Sequence, residues 1–191
     1  FQRDEPLDMR YDPLSQSMTA ADIVNSHSEE ELARLFFEYG EEPRARAAAR
    51  AIVQGRPIDT TGELAALVSK VIHPGRGRRV NPATRVFQAL RIAVNDELTN
   101  VGSGLAAAIE LLNEGGRLAV ISYHSLEDRL VKNTLVDEAT GCICPLELPV
   151  CVCEHQATLR IINRRIIRPA AEEVAANPRS RSARMRVAER V

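Results

Sequence analysis

A short charged segment near the start of the chain could take part in proton or hydrogen-bond chemistry. Asp8, Arg10 and Asp12 alternate with other residues in the sequence PLDMRYD, residues 6–12. A carboxylate can accept hydrogen bonds from a reacting amine, and an arginine fork can hold a carboxylate in a fixed orientation. The segment lacks periodicity, begins with Pro6 and is followed by Pro13, so we predict a loop. Ionisable residues in loops are commonly solvated and inert, and both interpretations stay open.

A second candidate group follows a run of apolar residues in the second half of the chain. Residues 118–121, LAVI, have the length and continuous hydrophobicity of a buried strand in a parallel sheet. Ligands of open α/β sheets bind beyond the carboxyl ends of the strands. That rule places Ser122, Tyr123, His124 and Ser125 near a site. A neutral histidine there could hydrogen-bond a substrate, and a packed or capping histidine is the alternative.

The cysteines of the chain follow one another at short spacing in a C-x-C-x6-C-x-C pattern. In a chain predicted to be cytoplasmic, close thiols suggest a zinc knuckle before disulfides. The C-x-C spacing is tighter than the usual C-x2-C, so thiols without a metal in an ordinary loop are the alternative. A zinc clip here would be structural, since no open coordination position is implied. The residues are Cys142, Cys144, Cys151 and Cys153.

Several common catalytic motifs do not occur in the sequence. It contains no G-x-G-x-x-G dinucleotide loop, no G-x-x-x-x-G-K-[ST] phosphate loop and no G-x-S-x-G nucleophile elbow. Gly102-Ser103-Gly104 precedes a helix predicted near 103–113 but follows no strand, so we predict a linker there. The residues alone therefore indicate an α/β chain with a basic helical part and specify no reaction.

The charges of the chain are segregated, although its net charge is only −1. Net charge is −8 over residues 1–42, +8 over 43–91, −7 over 92–159 and +6 over 160–191. Two basic blocks are compatible with a polyanion bound at a defined place, and solvated helix faces would give the same pattern. No apolar stretch approaches the ~20 residues of a membrane span, and the first residues lack an apolar signal region. We expect a cytoplasmic protein with no membrane partner.

The elements of the first half are predicted to be helices. Capping-box patterns at Thr19, Ser28 and Thr60 each predict a helix start. Asn81 followed by proline predicts another, with the proline as first helical residue. Residues 19–98 are therefore predicted to form an all-helical unit.

The second half is predicted to mix helices and strands. Ser125 and Asp128 are predicted to cap the helix after the first strand, which makes a βα unit of a parallel α/β sheet. The three strands are predicted near residues 118–121, 159–162 and 184–187.

Together these motifs resemble one family, the small-subunit ribosomal RNA cytosine-N4 methyltransferases (methyltransferase H). Residues 82–95, PATRVFQALRIAVN, and 120–129, VISYHSLEDR, are specific for it. Asn81, where the family usually has histidine, and Tyr123, where phenylalanine is common, depart from its pattern. The other matching segments, in family order, are 6–10, 19–25, 30–42, 50–53, 115–132 and 177–190.

This resemblance implies an α/β fold, a Rossmann-like class I methyltransferase domain interrupted by an all-helical insertion domain. It assigns residues 1–18 to a remnant of the methyltransferase domain, 19–98 to the helical insertion and 99–191 to the carboxy-terminal half of the methyltransferase domain. It also implies S-adenosyl-L-methionine as methyl donor and N4-methylation of a cytosine in small-subunit rRNA. The implied partner is the small ribosomal subunit, and no DNA partner is expected.

Family members open with segments that this sequence does not contain. These are a strand, a Gly-Gly-His loop for the methionine end of the cofactor, an acidic ribose ligand and an Asp-Leu-Gly segment. The sequence begins with Phe1, after the place of these motifs. We expect the chain to be a fragment that lacks the main cofactor loop and does not methylate by itself.

The candidate residues then take definite roles. Asp8 is predicted to accept hydrogen bonds near the cytosine amine, Arg10 to orient Asp8, and His124 to be a further catalytic residue. Ser122 and Tyr123 are predicted to contact the cofactor. A non-enzymatic RNA-binding or ribosome-assembly module is the alternative function. The residues predicted to hold RNA phosphates are Arg46, Arg50, Arg76, Arg78, Arg79, Arg85 and Arg91.

Overall fold

The computed structural model describes residues 4–73, 81–142, 144, 150, 152–153 and 156–191. It divides into two units, residues 1–97 and 98–191. The first unit is helical, and the second packs helices on a small sheet. In the described ranges, every helix is too short or too polar to cross a lipid bilayer.

Three helices of the first unit begin where a side chain satisfies N–H groups of the first turn. Thr19, Ser28 and Thr60 each accept a hydrogen bond from the N–H three residues on, and the acidic residue there bonds back to the cap. The three predicted helix starts are confirmed. The helices are α1 (Ala20–Ser26), α2 (Glu29–Glu38), α3 (Ala45–Gln54), α4 (Thr61–Val71) and α5 (Thr84–Asn95).

Asn81 forms a turn ahead of α5 instead of capping it directly. The Ala83 N–H donates to Asn81 Oδ1 (2.9 Å), and the Thr84 N–H donates to the Asn81 carbonyl (3.0 Å). An asparagine side chain bonded two residues on makes an Asx turn. The helix therefore starts at Thr84, and the prediction that Pro82 is its first residue is wrong.

A single residue separates α5 from the next helix. Asp96 has a φ of 48°, in the left-handed region, which ends α5. The next helix, α6 (Glu97–Glu110), starts at once. Gly102 and Gly104 therefore lie inside a helix, and the predicted linker is wrong. A Cβ at either glycine would meet no atom within 4 Å, so packing does not require glycine there.

The sheet of the second unit has the strand order β1-β3-β2, with both neighbouring pairs antiparallel. The prediction of a parallel sheet is wrong for these pairs. The first two strands do run in the same direction and are joined through α7 (Ser125–Glu138), but the last strand inserts between them in the opposite direction. The strands, close to their predicted positions, are β1 (Arg117–Ser122), β2 (Leu159–Ile161) and β3 (Arg184–Arg190).

The segment between β2 and β3 contains two short helices, α8 (Ala171–Ala176) and a 3₁₀ helix (Pro178–Ser182). Before them, Ile167 forms an isolated antiparallel bridge to Met185 of β3. The chain between β2 and β3 is therefore hydrogen-bonded to the sheet at Ile167 before β3 begins.

The first strand is buried on one face only. Leu118 and Val120 pack with the apolar cluster formed with α6 and α7. Ala119 and Ile121 lie on the opposite face, where Ile121 is 55% exposed. The continuous apolar run predicted a strand covered on both faces, and this is wrong for the described residues. The reason is that α6 and α7 pack against a single face.

Candidate functional site

The loop that contains Asp8 is fixed to the helical core at its base. Leu7 is buried in the same apolar cluster as Phe36. Its N–H donates to the Asp59 carbonyl (2.9 Å), and its carbonyl accepts from the Ala21 N–H (2.7 Å). A buried residue with both backbone groups paired leaves its neighbour little freedom. Asp8 therefore has a defined position.

Asp8 and Arg10 form a two-pronged ion pair. Arg10 Nε donates to Asp8 Oδ1 (2.7 Å), and Nη2 donates to Oδ2 (2.8 Å). Met9 between them has a φ of 68°, in the left-handed region, which turns the backbone so that its two neighbours meet. The fork fixes the plane of the carboxylate as well as its distance. The structure thus brings these two predicted residues together.

The pair keeps Asp8 ionised. The hydrogen bond from Arg10 lowers the pKa of Asp8 from its ordinary value, and Asp8 in turn raises the pKa of Arg10. Arg10 Nη1 also donates to the carbonyls of Pro13 (3.3 Å) and Gln16 (2.8 Å). The Asp8 side chain remains 40% exposed, so its oxygens can accept a further hydrogen bond from a bound group.

Asn95 ties the far side of this loop to α5, and the sequence analysis missed it. Its Nδ2 donates to the Met9 carbonyl (2.8 Å). Its Oδ1 accepts from the Tyr11 N–H (2.8 Å) and from Gln16 Nε2 (3.1 Å). Asn95 is buried, where an amide without partners would be costly. In the sequence, the sign of this role is a polar residue at the end of the apolar face of a predicted helix.

The arginines predicted to hold phosphates have different surroundings. Arg46 and Arg50 are exposed on α3. Arg50 Nε lies 3.3 Å from a Glu29 oxygen. Because this ion pair is exposed, Arg50 can exchange it for a phosphate at a small cost in free energy. Arg85 approaches the carboxylate of Glu42 at 3.8 Å. Because Glu42 is buried, Arg85 also serves to neutralise it.

Arg91 is paired within the protein. Its Nε and Nη2 donate to the two carboxylate oxygens of Glu97 (2.7 and 2.9 Å). The Tyr11 hydroxyl donates to the same carboxylate (2.9 Å), which joins the pair to the loop of Asp8. Phosphate binding by Arg91 stays a prediction, and it would require this pair to open. The other arginines predicted to hold phosphates lie outside the described residues; they are Arg76, Arg78 and Arg79.

A groove of about 900 Å³ between α2 and α3 combines arginines with an aromatic ring. Phe37 is 66% exposed there, whereas Phe36 faces the core. Two adjacent phenylalanines of one helix cannot both face the same core, and that was the signal missed in the sequence. The charged residues that line the groove are Glu29, Glu30, Arg34, Arg44 and Arg46.

In the second unit, the loop after β1 is closed by His124 and Glu127. His124 Nδ1 accepts from the Glu127 N–H (3.3 Å), so His124 caps α7. Because this bond uses the Nδ1 lone pair, the ring proton lies on Nε2. Glu127 Oε2 accepts from the N–H groups of Tyr123 (2.8 Å) and His124 (3.3 Å). The cap predicted at Ser125 is wrong, because the preceding histidine fills that position.

The same contacts set the charge of Glu127. Burial raises the pKa of its carboxyl, but the His124 side chain, whose Nε2 lies 3.2 Å from Oε1, and the Tyr123 N–H lower it to about 2. Ser122 is buried, and its Oγ donates to the Arg184 carbonyl (3.4 Å). Tyr123 is 56% exposed and open to a ligand. The catalytic role of His124 and the cofactor contacts of Ser122 and Tyr123 stay predictions.

Asp128 joins α7 to the last strand through charged hydrogen bonds. It accepts from Arg186 Nε (2.7 Å) and Nη2 (3.1 Å), and from Arg184 Nη1 (3.2 Å). The hydrogen bond from Arg186 lowers the pKa of Asp128, whose side chain is only 11% exposed. The prediction that Asp128 caps α7 is wrong, because two arginines of β3 offer it charged donors.

The family model described as the MraW methylase family matches residues 1–191. The chain belongs to the MraW methylase family. This confirms the resemblance found in the sequence.

Curated relatives of the MraW methylase chain match it over its full length. A Dehalococcoides mccartyi protein named ribosomal RNA small subunit methyltransferase H is 59% identical over 191 residues, 100% of this chain and 54% of that protein. A Thermomicrobium roseum protein of the same name is 59% identical over 194 residues, 100% and 59% of the two chains. One from Carboxydothermus hydrogenoformans is 48% identical over 194 residues, 100% and 62%. The chain thus spans little more than half the length of these relatives.

The predicted catalytic and cofactor-binding residues of this MraW methylase chain fall into one group in each unit. Asp8 and Arg10 form the group of the first unit, held by Asn95. Ser122, Tyr123 and His124 form the group of the second, held by Glu127 and β3. Each group is ordered by its own hydrogen bonds.

Proposed function

We propose that a longer protein containing this chain transfers a methyl group from S-adenosyl-L-methionine to the N4 amine of a cytosine in small-subunit ribosomal RNA. The observation that carries the proposal is the Asp8–Arg10 pair, an accessible carboxylate whose plane is fixed by a guanidinium fork. The relatives support the substrate class, since each is named a ribosomal RNA small subunit methyltransferase.

A fixed carboxylate suits this reaction. The N4 amine is a weak nucleophile, because its lone pair is delocalised into the ring. As the nitrogen–methyl bond forms and the methyl–sulfur bond breaks, the nitrogen becomes pyramidal and its N–H groups become more acidic. Asp8 accepts a hydrogen bond from one of them at that stage, and the excess proton can leave through it to solvent. Arg10 is a positioning residue that keeps the carboxylate ionised and oriented.

S-adenosyl-L-methionine, when bound, supplies an electrophilic methyl group on a sulfonium. Tyr123 fits a role in holding it, because its exposed ring offers an apolar face with a polar end. Ser122 is buried with its hydroxyl bonded to β3, and His124 caps α7. These contacts support positioning roles for Ser122 and His124, which fix the backbone on either side of Tyr123.

We assign RNA contacts to the groove between α2 and α3. Arginine forks there can bind phosphates, and the Phe37 ring can stack an unpaired base. Stacking on an aromatic ring next to guanidinium groups is typical of single-stranded RNA recognition. Glu29 and Glu30 at the groove would limit the path of the RNA backbone by charge repulsion.

Arg46→Ala and Phe37→Leu should weaken RNA binding in different ways. Arg46→Ala removes one phosphate contact, so the slope of log Kd against log salt should fall by about 0.7, the value per contact on a single strand. Phe37→Leu removes a stacking surface worth about 1–3 kcal/mol per base, so affinity should fall with the slope unchanged. Anisotropy titrations of a labelled RNA at several salt concentrations measure both.

The matched control for these variants is Lys70→Ala. Lys70 is an exposed cation on α4 of the same unit and does not line the groove. Its removal should leave affinity and slope close to those of the parent. Equal slopes for the Arg46 and Lys70 variants would remove the groove from RNA binding.

Mapping of the modified base tests the proposed reaction. A longer protein containing this chain is incubated with small-subunit rRNA and a donor carrying a labelled methyl group, and the RNA is then digested to nucleosides. Mass spectrometry should find the label in N4-methylcytidine. Label on another base or atom would exclude cytosine N4. RNA binding without any transfer would favour the non-enzymatic assembly module.

The 191-residue chain by itself should bind RNA and transfer no methyl group. The Gly-Gly-His segment that the resemblance assigns to the methionine end of the cofactor does not occur in its sequence. Calorimetry with S-adenosyl-L-methionine and the labelled-methyl assay measure donor binding and turnover. Micromolar donor affinity together with turnover would show that these residues hold a complete donor site, contrary to this expectation.

A further inference from the structure

A long loop joins α7 to β2, and its two ends are tied together. The Thr158 N–H donates to the Glu138 carbonyl (2.8 Å), and Thr158 Oγ1 donates to the Glu138 side chain. The described positions between these residues form no helix or strand. These hydrogen bonds hold residues 138 and 158 next to each other.

Three cysteine sulfurs meet inside this loop. The Sγ atoms of Cys142, Cys144 and Cys153 all lie within 4.8 Å of one another, and Cys142 Sγ is 3.9 Å from Cys153 Sγ. A disulfide requires about 2.05 Å between sulfurs. Two thiolates on one tetrahedral zinc ion, each about 2.3 Å from the metal, lie about 3.8 Å apart. The separation of Cys142 Sγ and Cys153 Sγ is close to this distance and far from that of a disulfide.

The surroundings of the sulfurs suit metal-bound thiolates. The Val152 N–H donates to Cys144 Sγ (3.4 Å). Hydrogen bonds to a ligand atom orient it and disperse its charge, as is usual around metal centres. Sulfur is a soft ligand, so such a cluster selects zinc over magnesium or calcium.

We propose that Cys142, Cys144 and Cys153 bind one zinc ion as thiolates. Each thiol loses its proton when its sulfur binds, so three protons are released per ion. The ion joins the outgoing side of the loop, at residues 142 and 144, to the returning side at 153, which reduces the length of chain that must be ordered. The role proposed for the ion is to join these two parts of the chain, and it does not depend on the proposed methyl transfer. Cys151, the remaining cysteine, lies outside the described residues.

Metal titration of the 191-residue chain tests the proposal. The chain is stripped with a chelator in the presence of a reducing agent and then titrated with zinc against a chromophoric chelator. One ion should bind per chain. Cobalt(II) in its place should give the sulfur-to-metal charge transfer and intense visible bands of tetrahedral thiolate coordination. Zinc should also slow hydrogen exchange within residues 139–158.

Serine variants separate a zinc site from a chance meeting of thiols. Cys142→Ser and Cys153→Ser should each weaken zinc binding on the order of 100-fold or more, since even outer-shell changes cost 10- to 100-fold. Val152→Ala is the matched control, because it keeps all sulfurs and the backbone N–H. Circular dichroism checks that the variants keep their helices. In a triple variant, all three cysteines are replaced by serine. If the parent retained no more zinc than this variant, the proposal would be overturned.

Discussion

The Asp8→Asn substitution, in a longer protein that contains this chain, should slow methyl transfer by about 100-fold or more, the usual effect of removing one group that stabilises developing charge. Asparagine keeps the shape of aspartate but is a weaker, neutral acceptor, and it leaves the Arg10 guanidinium without its anion. RNA affinity should change little, because Asp8 is assigned to one amine and to no phosphate. Single-turnover transfer measures the rate, and equilibrium titration measures the RNA affinity.

Asp12→Asn is the matched control for this variant. Asp12 lies in the same loop, where it accepts from the Ser15 hydroxyl (2.7 Å) and the Leu14 N–H (3.1 Å). It is exposed and has no assigned contact with the substrate, so its variant should transfer methyl groups at a rate close to the parent's. If Asp8→Asn matched Asp12→Asn in rate, Asp8 would have no part in the reaction. Equal losses of rate and RNA affinity would show a structural role instead.

The dependence of the rate on pH follows from the same pair. Arg10 lowers the pKa of Asp8 below the ordinary aspartate value of about 3.9, so the carboxylate stays ionised until the pH falls below that value. Between pH 5 and 8 Asp8 should cause no loss of rate. Arg10→Gln removes the cause of the lowered pKa and should move the acid limb upward. If the acid limb stayed at the same pH in the Arg10→Gln variant, the limb would belong to a group other than Asp8.

The features that the sequence predicted best depend on contacts between near neighbours. The capping boxes at Thr19, Ser28 and Thr60 each join residues three positions apart, so residue types alone located three helix starts. The start of α7 was misplaced by one residue because histidine is a rarer cap than serine, although Glu127 completes the box. The Asp8–Arg10 pair was also predictable, since only two positions separate its members.

The features that were missed depend on residues far apart in the chain. No local pattern says that a late strand inserts between two earlier ones, as β3 does. Asp128 and Arg186 are 58 positions apart, and Asn95 is 86 positions from Met9. Such contacts are decided by which surfaces the fold brings together, and local patterns of residue types do not reveal them. The roles of Asp128 and Asn95 therefore emerge only from the structure.

The Asp128→Asn substitution should destabilise the second unit by about 2–4 kcal/mol, somewhat less than the 3–5 kcal/mol typical of breaking a fully buried pair. It removes the anion that Arg184 and Arg186 share and leaves two guanidinium groups beside a neutral amide. The Arg184 side chain is 32% exposed, so solvent offsets part of the loss. Urea unfolding of the 191-residue chain measures the free energy, and hydrogen exchange in β3 assigns the change to this unit.

Glu110→Gln is the control, because Glu110 is an exposed carboxylate on α6 of the same unit and the substitution should change stability by no more than about 0.5 kcal/mol. The pH dependence has a definite sign. Because the hydrogen bond from Arg186 lowers the pKa of Asp128 in the folded state, its stabilisation is complete above the unfolded pKa of about 3.9 and is lost as the pH falls through the folded value. The difference between parent and Asp128→Asn should stay nearly constant from pH 7 to pH 5 and shrink below about pH 4. A difference that vanished at pH 6, or an equal effect of Glu110→Gln, would show that the charge of Asp128 does not hold β3 to α7.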